Sequence, residues 1–143
     1  MGHLISKQDA SFRRQVEACE FPVKKFDHRA HLRLAYIYLA ENNPHSSTQL
    51  MREALNGLLK SAGVDPDQKY HETLTEAWIL AVDHFMHKTE SSTSADDFID
   101  QHPIMLDSNI MLTHYSADVL FSENARKAFV EPNLDPIPRY RFS

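Results

Sequence analysis

The sequence predicts an all-α fold, a compact bundle of four main helices followed by short C-terminal helices and an extended proline-containing tail. Three observations carry this reading. Only three glycines occur among 143 residues, too few for the frequent tight turns of a β-sandwich or barrel. Strong helix formers such as Ala, Leu, Glu and Lys are plentiful. Apolar residues also recur at spacings of three and four through the longer segments. A hydrophobic share of 42% supplies a core and excludes general disorder. The length suits one domain spanning 1–143, with its core over 7–130 and its tail over 131–143.

The elements follow in order. Residues 7–20 are expected to form the first helix, with Phe12, Val16 and Cys19 along one face. Phe21-Pro22 closes it, because proline disfavours helix at the residue before it. Asp27 is the expected N-cap of a second helix reaching Asn42, and Asn43-Pro44 breaks that helix. Residues 47–62 carry a clean stripe of Leu50, Met51, Ala54, Leu55, Leu58 and Leu59, with Gly63 in place to end the third helix. Asp65, Pro66 and Gln68 then read as N-cap, first-turn proline and capping-box residue of one long fourth helix over 66–88.

Residues 89–94 form a polar loop, and Ser94 with Asp97 caps a short helix that stops before Pro103. Two further short helices are expected over 107–115 and 122–130, joined by a capped turn at Ser116-Ala117-Asp118. Pro132, Pro136 and Pro138 keep the tail extended across the bundle.

Charge and cysteine usage narrow the function. A formal net charge of −5 argues against nucleic acid as a partner. With Cys19 as the only cysteine, an intrachain disulfide and a four-cysteine zinc site are excluded. The longest apolar run, residues 34–40, is too short to span a bilayer. No signal-like segment is read at the start, so a cytoplasmic protein that does not enter a membrane is expected. Gly2, Gly57 and Gly63 are isolated, so no phosphate-cradling loop is present.

Histidine is the unusual residue. There are nine, and helix geometry sorts them. At 100° per residue, Leu39, Leu32 and Ala35 fall within about 40° of His28 on the second helix, and His31 lies beside them. Arg29, Arg33 and Glu41 take the opposite side. On the fourth helix Val82, Trp78, Phe85 and Thr75 fall within about 40° of His71, whereas Glu72, Glu76 and Asp83 mark a wet flank. His84 and His87 fall toward the surface, and His3, His45 and His102 sit at termini or helix ends. His114, with Tyr115 and Ser116, closes a short helix where a polar trio could line a pocket mouth.

Three inward imidazoles at His28, His31 and His71 need compensation, since an unsatisfied buried polar group costs about 1–3 kcal/mol. Either hydrogen bonds satisfy them or a metal does. His residues three apart on a helix are neighbours, and a third from a facing helix would complete a three-nitrogen site with one position open to water or substrate. No inward carboxylate accompanies them, which counts against non-haem iron chemistry of the two-histidine, one-carboxylate kind. The Glu-x-x-His pairs of a diiron bundle are missing as well.

The segments Phe26-Asp27-His28-Arg29-Ala30-His31-Leu32 and Lys69-Tyr70-His71-Glu72-Thr73-Leu74-Thr75, the latter followed by Trp78, resemble a pattern in a family of small uncharacterised bacterial all-helical proteins. Tyr115-Ser116, Leu120, Ser122 and Pro132-Asn133-Leu134 extend the likeness over residues 20–138. The resemblance implies a shared fold and a shared site around His28, His31, His71 and Thr75, and carries no activity with it.

The leading expectation is a buried three-histidine site in which His28, His31 and His71 hold a divalent transition metal (Zn, Ni or Fe). In it Thr75 orients a ligand or bound water, and Trp78 and Tyr115 wall the pocket. Such a site would suit a metal-assisted polar reaction on a small molecule. The alternatives are a non-catalytic helical module, binding a ligand or a protein partner, whose histidines form a hydrogen-bond network, and a metal-free enzyme using His28 or His71 as general base. A bundle of this size also leaves room for a homodimer.

Overall fold

The computed structural model of the chain describes residues 2–140. The bundle is built from α1 (Lys7–Glu17), α2 (His28–Glu41), α3 (Pro44–Ser61), the single turn α4 (Pro66–Lys69) and α5 (Glu72–His87). Three short helices follow, α6 (Ala95–Gln101), α7 (Ala117–Leu120) and α8 (Glu123–Lys127), with 3-10 turns at Val23–Lys25, Pro103–Leu106 and Ser108–Thr113. The all-α expectation therefore holds, with one small addition. The supposed loop over 89–94 contains β2 (Ser91–Ser92), which pairs in parallel with β1 (Gly2–His3), Gly2 opposite Ser91 and His3 opposite Ser92. Two-residue strands leave too little alternation to be read from sequence. No helix among the described residues is long and apolar enough to cross a membrane.

Helix α2 lies at the centre. Leu32, Leu34, Ala35, Tyr36 and Ile37 are all fully buried, because α1, α3, α5 and α6 pack around it. Its Arg33 is only partly exposed. The guanidinium stacks over the Phe12 ring at 4.5 Å and its Nε donates to buried Asp9 at 3.0 Å. Asp9 is a junction. Its carboxylate also accepts the N–H of Ser6 (3.1 Å) and of Ala95 (2.9 Å), tying the starts of α1 and α6 to α2.

Boundaries differ from the sequence reading where local chemistry intervenes. Helix α1 ends at Glu17, not residue 20, because Cys19 takes a left-handed φ of 60°. Pro44 ends α2 but also occupies the first turn of α3, where a missing N–H costs nothing. Asn43 caps that turn by accepting from the Ser46 N–H at 2.8 Å, so α3 starts three residues before the expected position. In the C-terminal part, the 108–113 stretch is 3-10 rather than α, and α8 stops at Lys127 rather than 130.

The largest correction concerns the fourth helix, which is two helices. Tyr70 and His71 are extended (ψ 140° and 105°), and the break is held by side chains. The Tyr70 hydroxyl donates to Glu72 at 2.7 Å, and Arg52 of α3 grips the same carboxylate through two N–H groups at 2.9 and 2.6 Å. Consequently the flank expected to be wet is not. Glu72 and Asp83 are buried, facing the cleft against α3 rather than solvent. Ile137 of the tail is buried and Tyr140 stacks flat on His87 at 3.9 Å, so the tail does drape over the bundle.

Candidate functional site

The site begins with the cap of α2. The Asp27 carboxylate accepts the Ala30 N–H at 2.9 Å, which fixes His28 in the first turn and puts His31 one turn further along the same side. His28 lies edge-on to Trp78, ring centres 4.7 Å apart, and its Nε2–H donates to the Met105 carbonyl at 2.8 Å. A carbonyl only accepts, so the Nε2 carries the proton, and Nδ1 has no hydrogen-bond partner among the described residues.

His31 sits next to it, edge-on to Phe26. Burial, reinforced by the neighbouring His28, pushes its imidazole down to about 4, so the ring is uncharged near neutral pH. No hydrogen bond to its ring is formed among the described residues, and the ring lines the cavity rather than dry core.

His71 does different work. It is not inside a helix but caps one. Its Nδ1 accepts the Leu74 N–H at 3.1 Å, and its Nε2–H donates to the Leu120 carbonyl at 2.8 Å. Burial lowers its tendency to charge, and the bond to Leu120 works the other way. Both ring nitrogens are thus committed to backbone. Thr75 is also committed, donating to the His71 carbonyl at 2.8 Å.

His28, His31, His71, Thr75 and Trp78 all line one cavity of about 510 Å³. Its remaining walls are mostly apolar. Val23 and Phe26 come from the α1–α2 connector, Leu55, Leu58 and Leu59 from α3, and Leu112, Leu120 and Phe121 from the C-terminal part. Phe121 and Leu112 are exposed apolar residues and belong to the rim. Lys69 and Tyr70 complete the wall beside the α4–α5 break. A larger concavity of about 1010 Å³ shares Tyr70 with this one. Its walls are charged and amide side chains of opposing sign, among them Lys60, Asp65, Asp67 and Arg126. The smaller cavity has the proportions and the apolar lining of a small-molecule site.

Five of the six expected site residues therefore come together. Tyr115 does not. It is fully buried and its hydroxyl donates to the Val130 carbonyl at 2.5 Å, so it holds the C-terminal chain rather than walling the cavity. The expected ligand triad also changes at residue 71, where the fourth helix breaks and the ring turns to backbone. Among the described residues, no three His, Cys, Asp or Glu side chains are grouped to hold a metal ion. His114, also weighed for a pocket mouth, donates to the Asp135 carbonyl at 2.7 Å and does not line the cavity.

Lys69, Tyr70, Leu112 and Phe121 are wall residues that sequence periodicity missed. Lys69 and Tyr70 belong to the segment that carries the family resemblance, and Phe121 follows Leu120 of the same pattern. The chain matches no family model, and no curated protein or solved structure is significantly similar to it.

Proposed function

We propose that this helical domain binds a small, largely apolar organic molecule bearing a hydrogen-bond donor. The body of the ligand packs against Trp78 and the leucines of α3, and its donor meets the imidazoles of α2. One observation carries the reading: His28 Nδ1 and the His31 ring are unpartnered among the described residues, at the wall of a cavity whose remaining lining is mostly apolar. An uncharged imidazole nitrogen is a good acceptor, and a few convergent polar groups in an apolar cavity are what orient a ligand.

The geometry favours this over a three-histidine metal centre, since His71 has no nitrogen to give. It also counts against His71 as a general base, because both of its ring nitrogens are already engaged by backbone groups.

Trp78 is the only tryptophan, so its emission reports on the site alone. Para-propylphenol is expected to shift that emission saturably and to bind more tightly than propylbenzene. The difference should be roughly two- to tenfold, the worth of one net hydrogen bond. His31→Phe should remove most of that preference while leaving the fold intact. Failure of both probes to perturb Trp78 up to their solubility would end this reading.

A further inference from the structure

The rim of the cavity carries charge that its interior lacks. Lys69 lines the cavity, and its ammonium forms no ion pair with any described residue. Helix α4 stops at Lys69 because Tyr70 turns extended, and this places the residue at the wall rather than on a continuous helix face. Lys24 and Lys25 stand between Val23 and Phe26, both of which line the same cavity, and these two lysines are also exposed and unpaired among the described residues. The one acidic residue of the lining, Asp27, is committed to the Ala30 N–H at the positive end of α2, which offsets its charge. A chain with a net charge of −5 thus places one unpaired cation, Lys69, in the lining of a mostly apolar cavity, with Lys24 and Lys25 on the connector that supplies Val23 and Phe26 to it.

We propose that the ligand is an amphiphilic organic acid, with its anionic group paired to Lys69 at the rim and its apolar body inside. This rests on the small-molecule reading of the cavity and adds the charge of the ligand and the residue that selects it. The exposed apolar residues Leu112 and Phe121, which share the rim, cover the stem that joins the two ends. Lys24 and Lys25 raise the local positive potential and speed capture of an anion.

Three probes with the same phenol body separate the claims by Trp78 fluorescence: para-propylphenol (neutral), para-hydroxyphenylpropanoate (anionic) and para-(aminopropyl)phenol (cationic). The expected order is anion, then neutral compound, then cation. The anion should gain roughly two- to fivefold over the neutral compound, the value of a solvent-exposed ion pair. That gain should collapse in about 0.5 M salt. Lys69→Met should erase the preference for the anion over para-propylphenol, and Lys69→Arg should keep it. Equal binding of anion and neutral phenol overturns the organic-acid proposal while the cavity reading stands. A preference that survives Lys69→Met overturns the assignment to Lys69. No binding of any of the three overturns both readings.

Discussion

The Nε2–H of His71 donates to the carbonyl of Leu120 across 2.8 Å, which joins the start of α5 to the end of α7. With Nδ1 accepting from Leu74, one ring caps a helix and staples the C-terminal part to the bundle. His71→Ala removes both functions and is expected to lower stability by roughly 2–3 kcal/mol, one part from the lost cap and one from an unmet carbonyl. His71→Asn keeps a capping side chain and should cost about 1 kcal/mol. Urea unfolding of the two variants checks this. Equal losses would show that the ring does not act as a cap.

The buried Asp9 carboxylate accepts from three donors, the N–H groups of Ser6 and Ala95 and the Arg33 guanidinium. Burial of this carboxylate raises its pKa, but the N–H groups of Ala95 and Ser6 and the Arg33 guanidinium together outweigh burial and hold it below the usual range. Asp9→Ala leaves the Ala95 N–H and the half-buried Arg33 without their partner. A loss of about 2–4 kcal/mol is expected, in line with breaking a largely buried, hydrogen-bonded pair. Because the folded carboxyl titrates below its unfolded value, its contribution is present above the ordinary carboxylate range and fades as pH falls through the folded value. Thermal melts of Asp9→Ala should therefore differ most from the parent near neutral pH and converge in acid. A constant difference at every pH would contradict the role of the charge.

Thr73 holds the far end of the chain. Its hydroxyl donates to the Ala128 carbonyl at 3.0 Å and accepts the Val130 N–H at 3.1 Å, while Tyr115 takes the Val130 carbonyl. Thr73→Val preserves volume but leaves both backbone groups unmet, and is expected to cost roughly 1–3 kcal/mol. The local consequence is sharper than the global one. Amides over 128–137 should exchange faster in this variant while those of α2 stay protected, and uniform loss of protection would refute the local anchor.

Long periodic segments were legible in the sequence because their apolar spacing is set by burial. The stripe of α3, the Asp27 cap and the capped start of α6 all fell where expected. The α4–α5 break was not legible. Residues 66–88 keep a helical pattern throughout, and only the tertiary grip of Arg52 on Glu72, joined by Tyr70, reveals the interruption. The same cause misled the site reading. A helical wheel placed His71 on the correct side of the bundle, so it does reach the cavity, but the wheel assumed a helical backbone at a residue that is extended. Periodicity reports which side chains face inward. It does not report which nitrogen a neighbouring carbonyl will claim.

His31 gives the cavity a measurable pH signature. Its ring falls from the ordinary 6.5 to about 4, chiefly through burial and secondarily through His28. Between those values the unfolded chain binds a proton that the folded chain does not, so stability rises with pH across that window and is lost as pH drops from 6.5 toward 4. His71, His84 and His102 are lowered as well and add to the same slope. His31→Phe removes one of these groups, and its unfolding free energy should vary less with pH over that interval than that of the parent. The same window should appear in binding. A ligand that donates to His31 needs the bare nitrogen, so affinity for para-propylphenol should stay flat down to about pH 5 and weaken only near 4, where the ring takes up its proton. Weakening centred at the ordinary 6.5 would mean that the ring is solvated and that the cavity does not hold it as described.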